Sequence, residues 1–173
     1  GYSGEIGHAS INFMGPICEC GNRGCIELYA STLTMRQTYL AERLRTDASH
    51  NEDITTDDFL ELSRRNDPIA RPIYERAVSQ LAFGLVGFVN TLNPNAVILA
   101  DPITNGGETF LPIVQDVFHK YLLPQIAERL HVDICRLHSD PMLLGASVVL
   151  FEKLIEQPTM VFGKHTLPPD VSL

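Results

Sequence analysis

The chain has 173 residues, 45% of them hydrophobic and 20% charged, an ordinary globular composition that excludes a disordered chain. A formal net charge of −8 and a pI near 5.1 argue against a broad nucleic-acid face here, because such faces need clustered Lys and Arg; a basic module elsewhere in a longer protein stays open. No apolar run reaches the ~20 residues of a membrane span, and no charged-then-apolar leader opens the sequence.

Residues 1–28 are rich in Gly and Cys and read as a short strand followed by a metal-bound loop. The spacing of Leu28, Leu33, Met35, Tyr39, Leu40 and Leu44 predicts a helix over 27–45, and the polar stretch 46–53 reads as a solvated loop. Thr55-Thr56-Asp57-Asp58 supplies N-cap chemistry for a short helix through Phe59, Leu60 and Leu62, which Asn66-Asp67-Pro68 stops. Ile73, Ala77, Leu81, Leu85, Phe88 and Leu92 recur every three or four residues and predict the longest helix, over 69–92, buried at its end. Asn93-Pro94-Asn95 is a turn, and the apolar run 96–100 predicts a strand covered on both faces. A helix over 109–130 interrupted or bent near Pro124, a strand over 132–137 and a helix over 142–155 follow, with an irregular extension at 157–173. This order is α/β. The sequence opens inside what reads as a functional motif, so the expectation is of a longer protein whose partner lobe lies upstream.

Three of the four cysteines fall within eight residues, a clustering that suits a metal in a reducing, cytoplasmic compartment better than an extracellular disulfide framework. His8, Cys18, Cys20 and Cys25 make the His-plus-three-thiolate set of a structural Zn2+ site, with no position left for water. Gly21 and Gly24 permit the positive φ angles that a metal knuckle needs. The alternative is three buried or redox-active thiols with an unrelated His. Cys135, in a predicted strand, reads as a core residue.

Glu5, His8 and Glu27 lie in or beside that ligand set, and two carboxylates with an imidazole can accept hydrogen bonds from adjacent hydroxyls. The run G-E-I-G-H followed by C-E-C-G-N-R-G-C-I-E resembles the signature of the ROK family of repressors, open reading frames and kinases, and the NPNAVILA segment is similar too. The resemblance covers 1–156 and implies the C-terminal part of the actin-like ATPase fold (sugar kinase/RNase H-like) with a zinc-bound loop. It further implies zinc on His8, Cys18, Cys20 and Cys25, and sugar hydroxyls on Glu5, His8 and Glu27. His8 would bridge the two, one ring nitrogen on the metal and the other toward the sugar.

The family holds both sugar kinases and sugar-responsive regulators. Kinases follow the NPxxVILG strand with a glycine turn against the nucleotide; here Asp101-Pro102 places a carboxylate and a ring without N–H there. Gly106-Gly107 is the alternative turn. Likeness to the Mlc- and NagC-type branch tips the expectation toward a repressor, no enzyme, whose N-terminal lobe and DNA-reading helix-turn-helix lie outside this chain. The expected partners are a sugar or sugar-phosphate effector, DNA through that outside module, further copies in a homodimer or tetramer, and a sugar-transport protein. An ATP-dependent sugar kinase and a zinc module with a dead sugar site are the alternatives.

Overall fold

A computed structural model describes residues 4–46, 53–100, 102–137 and 141–156; the expected loop at 47–52, Asp101 and the extension 157–173 lie outside the described residues. The chain divides into two units, one ending at Ile134 and the other starting at Cys135.

The first unit opens with the metal loop, which contains no strand among its described residues. The expected strand is replaced by a 3-10 turn at Ile6–His8 and two isolated antiparallel bridges, Ser10 with Cys25 and Ile17 with Arg23. Glycine and proline interrupt this segment too often for a ladder to extend.

Four helices come next: α1 at Glu27–Ala30, α2 at Thr32–Thr46, α3 at Thr56–Arg64 and α4 at Ala70–Leu92. The single helix expected over 27–45 is broken at Ser31, whose backbone is extended and whose hydroxyl accepts the Thr34 N–H at 3.1 Å, starting α2 afresh. Thr55 and Asp58 close a capping box ahead of α3. Asp67 Oδ1 accepts the N–H groups of Ile69 and Ala70 at 2.9 and 2.8 Å, and Asn93 ends α4 in the left-handed conformation.

Strand β1, Ala96–Leu99, pairs in parallel with β2, His131–Ile134, in the register Ala96↔His131 to Leu99↔Ile134. The crossover carries α5, Phe110–Tyr121, and α6, Pro124–Ala127. The interruption expected near Pro124 divides the 109–130 stretch into two helices: Leu123, preceding proline, is extended, and its N–H goes to Asn90 Oδ1 at 3.2 Å. β2 also ends earlier than 137, and Cys135 is half-buried beyond it, not a core strand residue.

The core gathers on α4. Tyr74, Ala77, Val78 and Ala82 meet Met35 and Tyr39 of α2, Phe59 and Leu60 of α3, and Phe110, Val114 and Phe118 of α5. Spacings of three and four put each set on one helical face, and each large side chain fully buried is worth about 1.5–3 kcal/mol. The far end of α4 is only partly buried: Val89 is inside but Leu92 is 73% exposed. β1 departs from the continuous burial expected of it. Val97 and Leu99 pack on the core, while Ile98 between them is 56% exposed, so the helices of the first unit cover one face of the sheet.

The second unit contains α7, Pro141–Glu156, close to its expected bounds. Among the described residues no helix is long and apolar enough to cross a membrane.

Candidate metal centre and ligand site

The metal loop is held by its backbone before any ion is considered. Cys18 N–H donates to Asn22 O at 2.7 Å and Gly21 N–H to Cys18 O at 2.9 Å, making a tight turn; Gly24 N–H to Pro16 O and Ile11 N–H to Gly24 O, at 2.8 and 2.9 Å, tie its two arms. Gly21 and Gly24 have φ of +89° and +62°, as the knuckle reading requires. A Cβ on Gly24 would also overlap the carbonyl oxygen of Asn12, so glycine is demanded there twice over.

This turn brings His8, Cys18, Cys20 and Cys25 together, their ligand atoms all within 4.8 Å of one another. Cys20 Sγ is 3.7 Å from Cys25 Sγ, and Cys18 Sγ is 3.7 Å from His8 Nδ1. In a tetrahedron with metal–sulfur bonds of about 2.3 Å and metal–nitrogen bonds of about 2.0–2.1 Å, neighbouring ligands lie about 3.6–3.8 Å apart. The donors therefore fit a four-coordinate ion with little movement.

Their protonation is uneven. Burial first, then the neighbouring Cys18 and Cys20, push the Cys25 thiol up to about 12, while a hydrogen bond from the Asn22 backbone holds Cys20 below the ordinary thiol value. Cys25 Sγ donates to His8 O at 3.3 Å and Asn22 Nδ2 to the same oxygen at 3.4 Å, anchoring the His8 backbone. Asn22 thus serves the loop through three groups. The sequence reading passed over it, though its place between Gly21 and the last ligands marks a turn residue.

The expected sugar contacts are brought together unequally. Glu27 is the first residue of α1, and its Oε2 lies 3.5 Å from His8 Nδ1, the ring nitrogen that also faces Cys18. Glu5 heads the 3-10 turn with its carbonyl accepting the His8 N–H at 3.1 Å and its side chain exposed. Among the described residues no hydrogen bond or ion pair joins the Glu5 carboxylate to His8 or Glu27.

Beside this cluster lies a cleft of about 430 Å³ bounded by Gly7, Glu27, Ser31, Leu85, Leu99 and Ile103. Its wall is mostly apolar, with Glu27 as its charged member. Segments 6–7, 26–32, 81–85 and 99–110 supply it, a convergence that periodicity along the chain does not reveal.

Residues 1–153 match the model of the ROK family. The chain is 31% identical over 156 residues to the xylose repressor of Bacillus spizizenii, covering 90% of this chain and 38% of the repressor. It is 27% identical over 161 residues to the glucokinase of Thermotoga maritima (89% and 51% covered) and 26% identical over 148 residues to the DNA-binding transcriptional repressor Mlc of Escherichia coli (84% and 36%). Among solved structures, a ROK family transcriptional regulator homologous to E. coli Mlc superposes with a TM-score of 0.73 at 22% identity, covering 87% of this chain and 41% of that one. The ROK hexokinase from Thermus thermophilus does so at 0.68 and 24% identity, covering 89% and 49%. The chain spans about 36–51% of the length of these proteins.

Proposed function

Because this chain belongs to the ROK family, we propose that it is the ligand-sensing part of a sugar-responsive transcriptional regulator, with a structural Zn2+ on His8, Cys18, Cys20 and Cys25 and with Glu5, His8 and Glu27 contacting the sugar. The observation that carries this reading is the position of the His8 ring, whose Nδ1 is 3.7 Å from Cys18 Sγ and 3.5 Å from Glu27 Oε2. One imidazole thus belongs to the metal cluster and to the carboxylate at the cleft. Three thiols and an imidazole suit Zn2+, and four protein donors leave no place for a reacting water. Held there, the ion would fix the ring's orientation and tautomer, leaving Nε2 for a sugar hydroxyl.

The segment after β1 favours a regulator over a kinase. Pro102 opens a 3-10 turn, Pro102–Asn105, that carries Ile103 into the core, where the Tyr74 hydroxyl donates to its carbonyl at 2.8 Å. Gly106 lies so close to the Tyr74 ring that a Cβ would overlap it. Gly106 therefore has a packing reason to exist without any nucleotide, and Gly107 a backbone one, its φ being +141°. Asp101, expected to disfavour a nucleotide, lies outside the described residues, and Pro102 and Tyr74 support this reading without it.

Effector binding would bias the relative arrangement of subunits and hence the spacing of DNA-reading heads. The DNA contact, the homodimer or tetramer, a sugar-transport partner and a cytoplasmic setting all belong to this proposal for the whole protein. A sugar kinase is the second reading, favoured by the 27% identity to a glucokinase and the likeness to a hexokinase fold.

Calorimetry of the full-length protein with xylose, glucose and N-acetylglucosamine, alongside an ATP-dependent phosphorylation assay, separates them. Saturable binding of one sugar without phosphoryl transfer is expected. Turnover of ATP into a sugar phosphate sinks the regulator, and absence of binding to any sugar points to a dead site.

A further inference from the structure

The three clustered thiols are not equivalent, and their differences point to chemistry beyond holding a metal. Cys20 is exposed, whereas Cys18 and Cys25 are 4% and 0% exposed. Cys20 Sγ lies 3.7 Å from Cys25 Sγ, while Cys18 Sγ is turned to the His8 ring at the same distance. A peroxide approaching from solvent meets Cys20 first, and the sulfurs of both Cys18 and Cys25 lie close to it, that of Cys25 at 3.7 Å. Four residues separate the two, Gly21 and Gly24 among them with positive φ, so the intervening turn can tighten toward the ~2.05 Å of a disulfide. A single residue separates Cys18 from Cys20, which leaves that pair poorly placed to close on itself.

We propose that Cys20 is a peroxide-reactive thiol and Cys25 its resolving partner, so that oxidation links these two residues and discharges the metal centre. Cys20 thiolate attacks hydrogen peroxide, the O–O bond breaks, and Cys20 becomes a sulfenic acid with release of hydroxide. Cys25 thiolate then attacks the Cys20 sulfur, the S–O bond breaks, and a second hydroxide leaves as the disulfide forms. Two electrons pass from the pair of sulfurs to the peroxide, and two protons taken from solvent complete two waters. His8 and Cys18 remain as the only donors of the set, too few to retain the ion. Since Glu27 follows Cys25 by two residues and His8 loses its metal anchor, the ligand site loses its support; this last step rests on the sugar-sensing reading, whereas the linkage does not.

The test uses full-length, metal-loaded protein with Cys135→Ser, which removes the one thiol of these 173 residues outside the cluster. After hydrogen peroxide and alkylation, tandem mass spectrometry should find a Cys20–Cys25 link with the loss of two hydrogens. A colorimetric chelator should register one equivalent of zinc released, and dithiothreitol with added zinc should reverse both. Because Cys20→Ser removes a ligand, the mapped linkage in the chain with all three cluster cysteines is the decisive readout. A link that includes Cys18, sulfinic acid at Cys20 without a link, or retention of zinc under peroxide overturns the proposal. Protein that carries no metal when purified overturns both the zinc reading and the discharge. A correct linkage with unchanged sugar affinity removes only the coupling to the ligand site.

Discussion

Glu27 is within 3.5 Å of the His8 ring, its side chain is 54% exposed, and it is not among the four clustered donors. Its substitution should therefore separate ligand binding from metal binding. On the proposed sugar-sensing reading, replacing it by Gln would remove a charge-assisted hydrogen bond worth about 1.5–3 kcal/mol, so Glu27→Gln is expected to weaken sugar binding by roughly tenfold or more while leaving zinc content, measured by elemental analysis, unchanged. The thiols predict a proton signature of their own. With its thiol raised to about 12, Cys25 is protonated at neutral pH in the ion-free loop and must lose that proton when it ligates. Zinc binding should release protons, visible as a dependence of the calorimetric enthalpy on the buffer's ionisation heat, and affinity should fall as the pH is lowered. A binding constant flat with pH would contradict thiolate ligation. At this scale the sequence was informative where chemistry is local: His8, Cys18, Cys20 and Cys25 converge as their spacing implied. It was silent on Asn22 and on which nitrogen of His8 faces Cys18, because both depend on how the turn folds back.

The helices carry predictions that concern stability rather than ligand. Thr55 and Asp58 form reciprocal bonds, with Asp58 N–H to Thr55 Oγ1 at 3.1 Å and Thr55 N–H to Asp58 Oδ2 at 2.9 Å. Thr55→Ala should cost about 1 kcal/mol in denaturant unfolding at pH 7. The Thr55 hydroxyl and then its backbone N–H hold the Asp58 carboxyl below its ordinary value. A depressed carboxyl stabilises the fold above its unfolded pKa and ceases to as pH falls through its folded pKa, so the gap between wild type and Thr55→Ala should narrow in acid. Tyr74→Phe removes the shorter of two hydrogen bonds to the Ile103 carbonyl, 2.8 Å from the Tyr74 hydroxyl against 3.3 Å from the Gly106 N–H, and should lower the midpoint of the same titration by the equivalent of about 1 kcal/mol. An unchanged midpoint would mean that the 3-10 turn is held without it. Helix α4 was readable because its apolar residues keep one period over 23 residues. The break at Ser31 was not, since a serine cap acts through backbone conformation and leaves the apolar pattern running past it, whereas the interruption before Pro124 was marked by the proline itself.

For the whole molecule, the mixed helix-and-sheet class was legible from the order of the apolar runs and the family from the GEIGH and CECGNRGCIE segments, whereas the parallel pairing of β1 with β2 comes from the structure. The burial of β1 was misjudged because composition cannot say how many layers cover a strand; Ile98 is as apolar as Val97 and Leu99 yet 56% exposed. The cleft beside Glu27 was invisible for a related reason, being assembled from four separated segments.

One property of the metal loop bears on how the chain reaches its fold. Its outermost donors, His8 and Cys25, are 17 residues apart, whereas the bonds that lock α3 and α4 to the turn after β1, Arg64 to Asn105 and Tyr74 to Ile103, span 41 and 29. Closing a short loop costs little chain entropy, and local contacts form before distant ones. Zinc present from the start of refolding should let the loop close early and offer Ile26 and α1 a fixed surface on which α4 can dock. Stopped-flow refolding should then be faster with zinc than without it, whereas ion added after collapse should change the final stability and leave the rate as it was.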